Sequence, residues 1–172
     1  MKSKNIYTLP VKKSSILVPY DYEKLSFNSH EGDLQYALDF LVPEKTMVLA
    51  ALAGEIVYVK IDSNIGGPDK KFWNDGNRIV IKHVNGEYSA YEHLCQHGSL
   101  VYPGQKVLTR EPIGYSGNTG CSSAPHLHLE VFDHPTEDET EGITLEINFE
   151  NDLRFEPGKV ITQKTFHKDT DI

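Results

Sequence analysis

Apolar residues in this chain come in short runs, broken by polar positions and by turns rich in glycine and proline. Residues 46–51 (TMVLAA) and 55–61 (EIVYVKI) read as two strands separated by Ala53-Gly54. Their Val, Ile and Tyr content favours extended backbone over helix. Residues 77–84 (NRIVIKHV) and 87–94 (EYSAYEHL) read as a hairpin around Asn85-Gly86, a pair that tolerates the two positive φ angles of a type I′ turn. Short strands and tight turns continue through SLVYPGQKVL (99–108) and EPIGYSG (111–117) to HLHLEVF (126–132), the last clear core strand. TLEINF (144–149) is one further strand candidate, and SSILVPY (14–20) carries a weak strand signal within a polar lead-in. Residues 62–76 and the acidic stretch 133–142 read as loops. No amphipathic helix longer than ten residues and no internal repeat is evident, so the pattern predicts a mainly β chain.

Length and composition narrow this picture. The chain has 172 residues and 38% hydrophobic composition, enough for one domain with a real core. A formal net charge of -8 argues against a nucleic-acid partner or an anionic membrane surface. No apolar run is long enough to span a membrane. The N-terminal stretch lacks the apolar segment and small-residue cleavage site of a signal peptide. Cys95 and Cys121 are too few for a disulfide scaffold, and either a pair or two free thiols fits the sequence.

The chemistry concentrates in SSAPHLHLEVF (122–132). On a strand His126 and His128 point to one face, and Leu127 and Leu129 to the other. Two imidazoles on one face suit a metal site or a catalytic pair. Zinc takes nitrogen and carboxylate ligands, and a catalytic zinc site keeps one position open. The chain holds eight histidines, and the pair alone does not say which of the others join it.

Four motifs in order resemble the LytM/lysostaphin-type zinc metallopeptidases, peptidase family M23. They are YALDFLVPEKTMVLAALAGEIV (36–57), YEHL (91–94), LVYPGQKVLTREPIGYSGNTG (100–120) and GNTGCSSAPHLHLEVF (117–132). The resemblance covers about residues 26–132. It implies a small antiparallel β-sheet fold, sandwich- or barrel-like, around a central groove. It divides the chain into an N-terminal extension (1–25) packed on the domain, the peptidase domain (26–150) and a C-terminal tail (151–172).

The resemblance also implies one zinc ion per chain, held by His, Asp and His. Carried over by position, Asp39 and His128 are ligands, and His93 and His126 are the non-ligand catalytic pair. The family's usual first histidine stands four residues before the aspartate, where this chain has Gln35; His30 is the candidate that replaces it. Asp33 is an oxygen-ligand candidate, and His83 and His97 are remote ones. Relatives often have glycine where Lys45 stands, which leaves either an ordinary negative φ or a strained turn there. Tyr91 reads as sharing a face with His93, either lining the groove or packing in the core. Asn77 is a groove-lining candidate, and Trp73 is either a packed cover or a substrate platform. The implied activity is hydrolysis of peptide bonds in peptidoglycan by a monomer outside the cytoplasm. The alternative is a catalytically inactive module of the same fold.

Overall fold

The computed structural model describes residues 1–18, 30, 32–156 and 160–167, apart from the side chains of Asp33 and His167. Among the described residues the strands are β1 (Leu38–Phe40), β2 (Met47–Leu49), β3 (Gly54–Lys60), β4 (Gly66–Gly67), β5 (Arg78–Lys82), β6 (Tyr88–Glu92) and β7 (Leu94–Ser99), followed by β8 (Lys106–Val107), β9 (Pro112–Ser116), β10 (Gly120–Cys121), β11 (Leu127–Asp133), β12 (Ile143–Thr144) and β13 (Val160–Ile161). All helical segments among the described residues are short 3-10 turns, the longest Lys70–Asp75.

The main sheet runs β13-β1-β11-β6-β5-β3-β8, with β12 added beside β11. A second sheet, β2-β9-β7, and the small pair β10-β4 complete the fold, and the strand orders are open rather than closed into a barrel. Pairing is antiparallel except for β1 with β13 and β4 with β10. The mainly β reading of the sequence therefore holds.

One face of the main sheet supplies the core. Ile79, Tyr91 and Leu129 sit opposite one another on β5, β6 and β11, and all are fully buried. They pack with Phe40, Val48, Ile56, Leu94, Ile113 and Leu127 in a single cluster. Tyr7, Val11 and Ile16 from the N-terminal stretch and Ile161 and Phe166 from the C-terminal one belong to that same cluster.

Local details differ from the strand pattern in the sequence. The stretch 14–20 forms no strand where it is described; Lys13–Ser15 is a 3-10 turn, and Pro19 and Tyr20 lie outside the described residues. The TLEINF run contributes only Thr144 to a strand, and its remainder bridges Lys2 and Tyr7 through Glu146 and Phe149. The β5–β6 hairpin turns at Asn85 (φ 65°) and Gly86 (φ 72°), the two positive φ angles that the Asn-Gly pair anticipates. Lys45 adopts φ 63°, so it takes the left-handed turn despite its side chain.

His83, beside that hairpin, has a structural role. Its Nδ1 lies 3.0 Å from the Ala53 carbonyl and its Nε2 2.8 Å from Ser89 Oγ. Burial pushes its pKa down to about 4, against the pull of the Ala53 carbonyl and Glu87. The folded protein therefore holds His83 neutral at pH values where the unfolded chain is protonated, and stability falls as pH drops from about 6.5 towards 4. We expect this slope, on the order of 2–3 kcal/mol across the window, to flatten in His83→Gln. Urea denaturation at pH 7.5 and pH 4.5 checks this; equal slopes in the two proteins would contradict it.

Candidate metal centre

Asp39 lies at the centre of β1 and is 1% exposed. Its direct partner across the sheet is His128 of β11, so both side chains stand on one face. His128 Nδ1 is 2.9 Å from Asp39 Oδ1. His30 Nε2 is 3.3 Å from Asp39 Oδ2 and 3.3 Å from His128 Nδ1. A tetrahedral zinc ion with ligand bonds of about 2.0–2.1 Å has donor atoms about 3.3 Å apart. The three side chains thus offer two nitrogens and a carboxylate at the spacing such an ion requires, and the residues fit the group. Gln35, by contrast, is exposed, and the Asp33 side chain lies outside the described residues. His83 is bound to Ala53 and Ser89, and His97 is exposed.

His93 and His126 complete the cluster. Their rings are 4.5 Å apart, and His93 lies 5.8 Å from the His128 ring. His126 Nε2 is 3.5 Å from Asp39 Oδ1. Each ring is oriented by a backbone carbonyl: His93 Nδ1 is 2.7 Å from Thr119 O, and His126 Nδ1 is 2.7 Å from Ala124 O. A carbonyl only accepts, so in both neutral rings Nδ1 carries the proton and Nε2 the lone pair. A second set of donors, on His93, His126 and His128, also lies within 4.8 Å of one another and shares His128 with the first. The first set includes the carboxylate, which supplies the negative charge that offsets a dication.

The backbone at His93 corrects the sequence reading of this strand. Tyr91 and His93 do not share a face. Tyr91 is fully buried in the core, where its hydroxyl accepts from the Ala51 amide and from Ser89 Oγ. His93 takes φ 59° between β6 and β7, and this left-handed residue turns its ring to the groove side. No period-two pattern signals such a reversal. Asn77 likewise does not line the groove. It is fully buried and acts as a clip: its amide nitrogen donates to Ser63 O and Leu94 O, and its Oδ1 accepts from Ser63 N.

The charges follow from this packing. Burial alone would raise the Asp39 pKa, but His126, His128 and His30 outweigh it and hold the carboxyl well below the usual range. Burial would lower the His128 pKa, but Asp39 outweighs it and holds the imidazole up at about 9. Burial pushes His93 down to about 3, with His126 adding to the effect, and burial also lowers His126. Behind the histidines, Arg78 Nη2 lies 2.6 Å from Glu92 Oε1 and 3.3 Å from Glu130 Oε1. Burial and the neighbouring Glu92 raise Glu130 to about 7. The sequence reading missed Arg78, Glu92 and Glu130; the signal was their alternation with core residues along β5, β6 and β11.

A groove of about 590 Å³ opens over these residues, lined among others by Trp73, Arg78, Glu92, His93, Cys121 and His128. Trp73 is half-exposed at its rim. Cys95 and Cys121 are free thiols.

Fold and site together define an open β domain with a buried His/Asp cluster under a groove. The family model for Peptidase family M23 matches residues 33–140, more than half of the chain. The chain belongs to this family. Among curated proteins it is 31% identical over 122 residues to the DD-carboxypeptidase/endopeptidase Mpg of Neisseria meningitidis, covering 71% of this chain and 25% of that protein. Among solved structures it resembles the antimicrobial peptidase lysostaphin from Staphylococcus simulans, with TM-score 0.55 and 27% identity over 82% of this chain and 52% of that one. It also resembles a zinc-containing peptidase from Vibrio cholerae, with TM-score 0.53 and 25% identity over 74% of this chain and 36% of that one. The chain spans a third or less of the length of the curated relatives it matches.

Gly120 holds the loop that orients His93. It has φ 80°, and a Cβ there would lie 2.6 Å from Gly76 Cα and 2.8 Å from Gly76 N, backbone atoms that cannot yield. Gly120→Ala is expected to cost roughly 2–3 kcal/mol of stability. Denaturant titration measures this, and an unchanged midpoint would contradict it.

Proposed function

We propose that this chain is a zinc-dependent metalloendopeptidase domain that hydrolyses peptide bonds in peptidoglycan stem peptides or cross-bridges. The observation that carries the reading is the convergence of His30 Nε2, Asp39 and His128 Nδ1 at edges of 2.9–3.3 Å. Similarity to a DD-carboxypeptidase/endopeptidase and to a zinc-containing peptidase points the same way. A wall substrate places the working protein outside the cytoplasm. The peptidase unit is taken as residues 26–150, with residues 1–25 as an N-terminal extension and residues 151–172 as a C-terminal segment that adds β13 to the main sheet.

In this reading His30, Asp39 and His128 hold the ion, and His93 and His126 act beside it without ligating. Zinc, when bound, polarises the scissile carbonyl and lowers the pKa of a water molecule. His93 and His126 present unprotonated Nε2 atoms, because their Nδ1 protons are committed to Thr119 O and Ala124 O. Either ring can therefore take a proton from the attacking water as general base. Only after gaining that proton does the same nitrogen become a donor, able to stabilise the developing oxyanion or protonate the leaving amine. Depression of both pKa values keeps the two rings neutral before the reaction begins. The groove wall, with half-exposed Trp73 at its rim, gives the peptide a place to lie.

Metal analysis and hydrolysis of purified peptidoglycan test the assignment together. We expect one zinc per chain, lost in His128→Ala and Asp39→Asn together with activity. His93→Ala and His126→Ala should keep the zinc but lose a factor of about 10²–10⁴ in rate. A wild-type protein without zinc, or full activity in His128→Ala, would contradict the proposal.

A further inference from the structure

Arg78 on β5, Glu92 on β6, His128 on β11 and Asp39 on β1 are consecutive partners in register, one on each strand. Directly opposed residues share a face, so the four side chains form one row across the sheet. Its chemistry alternates: guanidinium, carboxylate, imidazole, carboxylate. His128 therefore stands between two carboxylates. On one side its Nδ1 meets Asp39 at 2.9 Å and His30 at 3.3 Å. On the other side stands Glu92, whose Oε1 is held 2.6 Å from Arg78 Nη2. The same Nη2 lies 3.3 Å from Glu130 Oε1, so one guanidinium fixes both carboxylates. Arg78 and Glu92 side chains are only 15% and 23% exposed, which limits screening by water.

A histidine can offer Nδ1 to a metal only while its other ring nitrogen keeps the proton. A fixed negative charge on the strand that flanks His128 opposite Asp39 favours that form. We propose that Glu92, clamped by Arg78, is a positioning residue that sets the orientation and tautomer of His128 as a metal ligand. This rests on the zinc reading above. The competing account is that Arg78 and Glu92 merely stitch β5 to β6, and it makes a different prediction. Glu92→Gln keeps the shape and an acceptor for Arg78 and removes only the charge, so a purely structural pair would leave the metal site untouched.

The test is zinc affinity of the full chain by competition with a chromophoric chelator, together with the visible spectrum of the cobalt-substituted protein. Glu92→Gln is expected to bind zinc about tenfold more weakly or worse. Its cobalt bands should shift, while the metal-free melting temperature stays near that of wild type. Glu55→Gln, at an exposed site on β3, should change neither. If Glu92→Gln does not fold, Arg78→Lys serves instead: it keeps a cation but loses the fork that holds both carboxylates, and should weaken zinc threefold or more. Zinc affinity within twofold of wild type and an unchanged cobalt spectrum in the folded variant would overturn the proposal. A wild-type chain that binds no zinc would instead remove the metal reading on which it stands.

Discussion

A carboxylate buried to 1% exposure, Asp39, is the constraint around which this domain is arranged. A lone buried charge is too costly to keep, so it must be surrounded by partners. Asp39 has three imidazoles within 3.5 Å, brought from different parts of the chain. His128 arrives by direct pairing of β11 with β1, and His126 by the bend just before β11. His30 arrives from a position ahead of the Gly32–Leu34 turn that precedes β1. The two strands that join at this point lie in the interior of the main sheet, with the apolar core on the opposite face. The same packing that excludes water from the core also dries the site, and this is why the pKa values there move so far from their ordinary values.

Much of this was legible in the sequence because it depends on local periodicity. The alternation in HLHLEVF places His126 and His128 on the side opposite Leu127 and Leu129, and the structure buries both leucines in the core. The Asn-Gly pair turns the hairpin with two positive φ angles. The mainly β class follows from the short Val- and Ile-rich runs. His30, the sequence candidate for the position where Gln35 replaces the family's histidine, stands within 3.3 Å of both Asp39 and His128, while Gln35 is exposed.

What the periodicity hid was backbone of unusual handedness and contacts at long range. A strict alternation puts Tyr91 and His93 together, and one left-handed residue at His93 separates them. Asn77 looked like a groove residue because it opens a strand, yet its hydrogen bonds run to Ser63 and Leu94, elements that no local pattern brings near. The row from Arg78 to Asp39 was invisible for the same reason: each member sits on a different strand, and only the register of the sheet aligns them.

Two sets of donors share His128, and the proposed zinc site is the set that contains Asp39. A crystal structure of the zinc-soaked protein, with anomalous differences measured at the zinc edge, separates them directly. One peak is expected about 2.0–2.2 Å from His30 Nε2, an Asp39 oxygen and His128 Nδ1. A peak held by His93, His126 and His128, with Asp39 and His30 outside bonding distance, would contradict it.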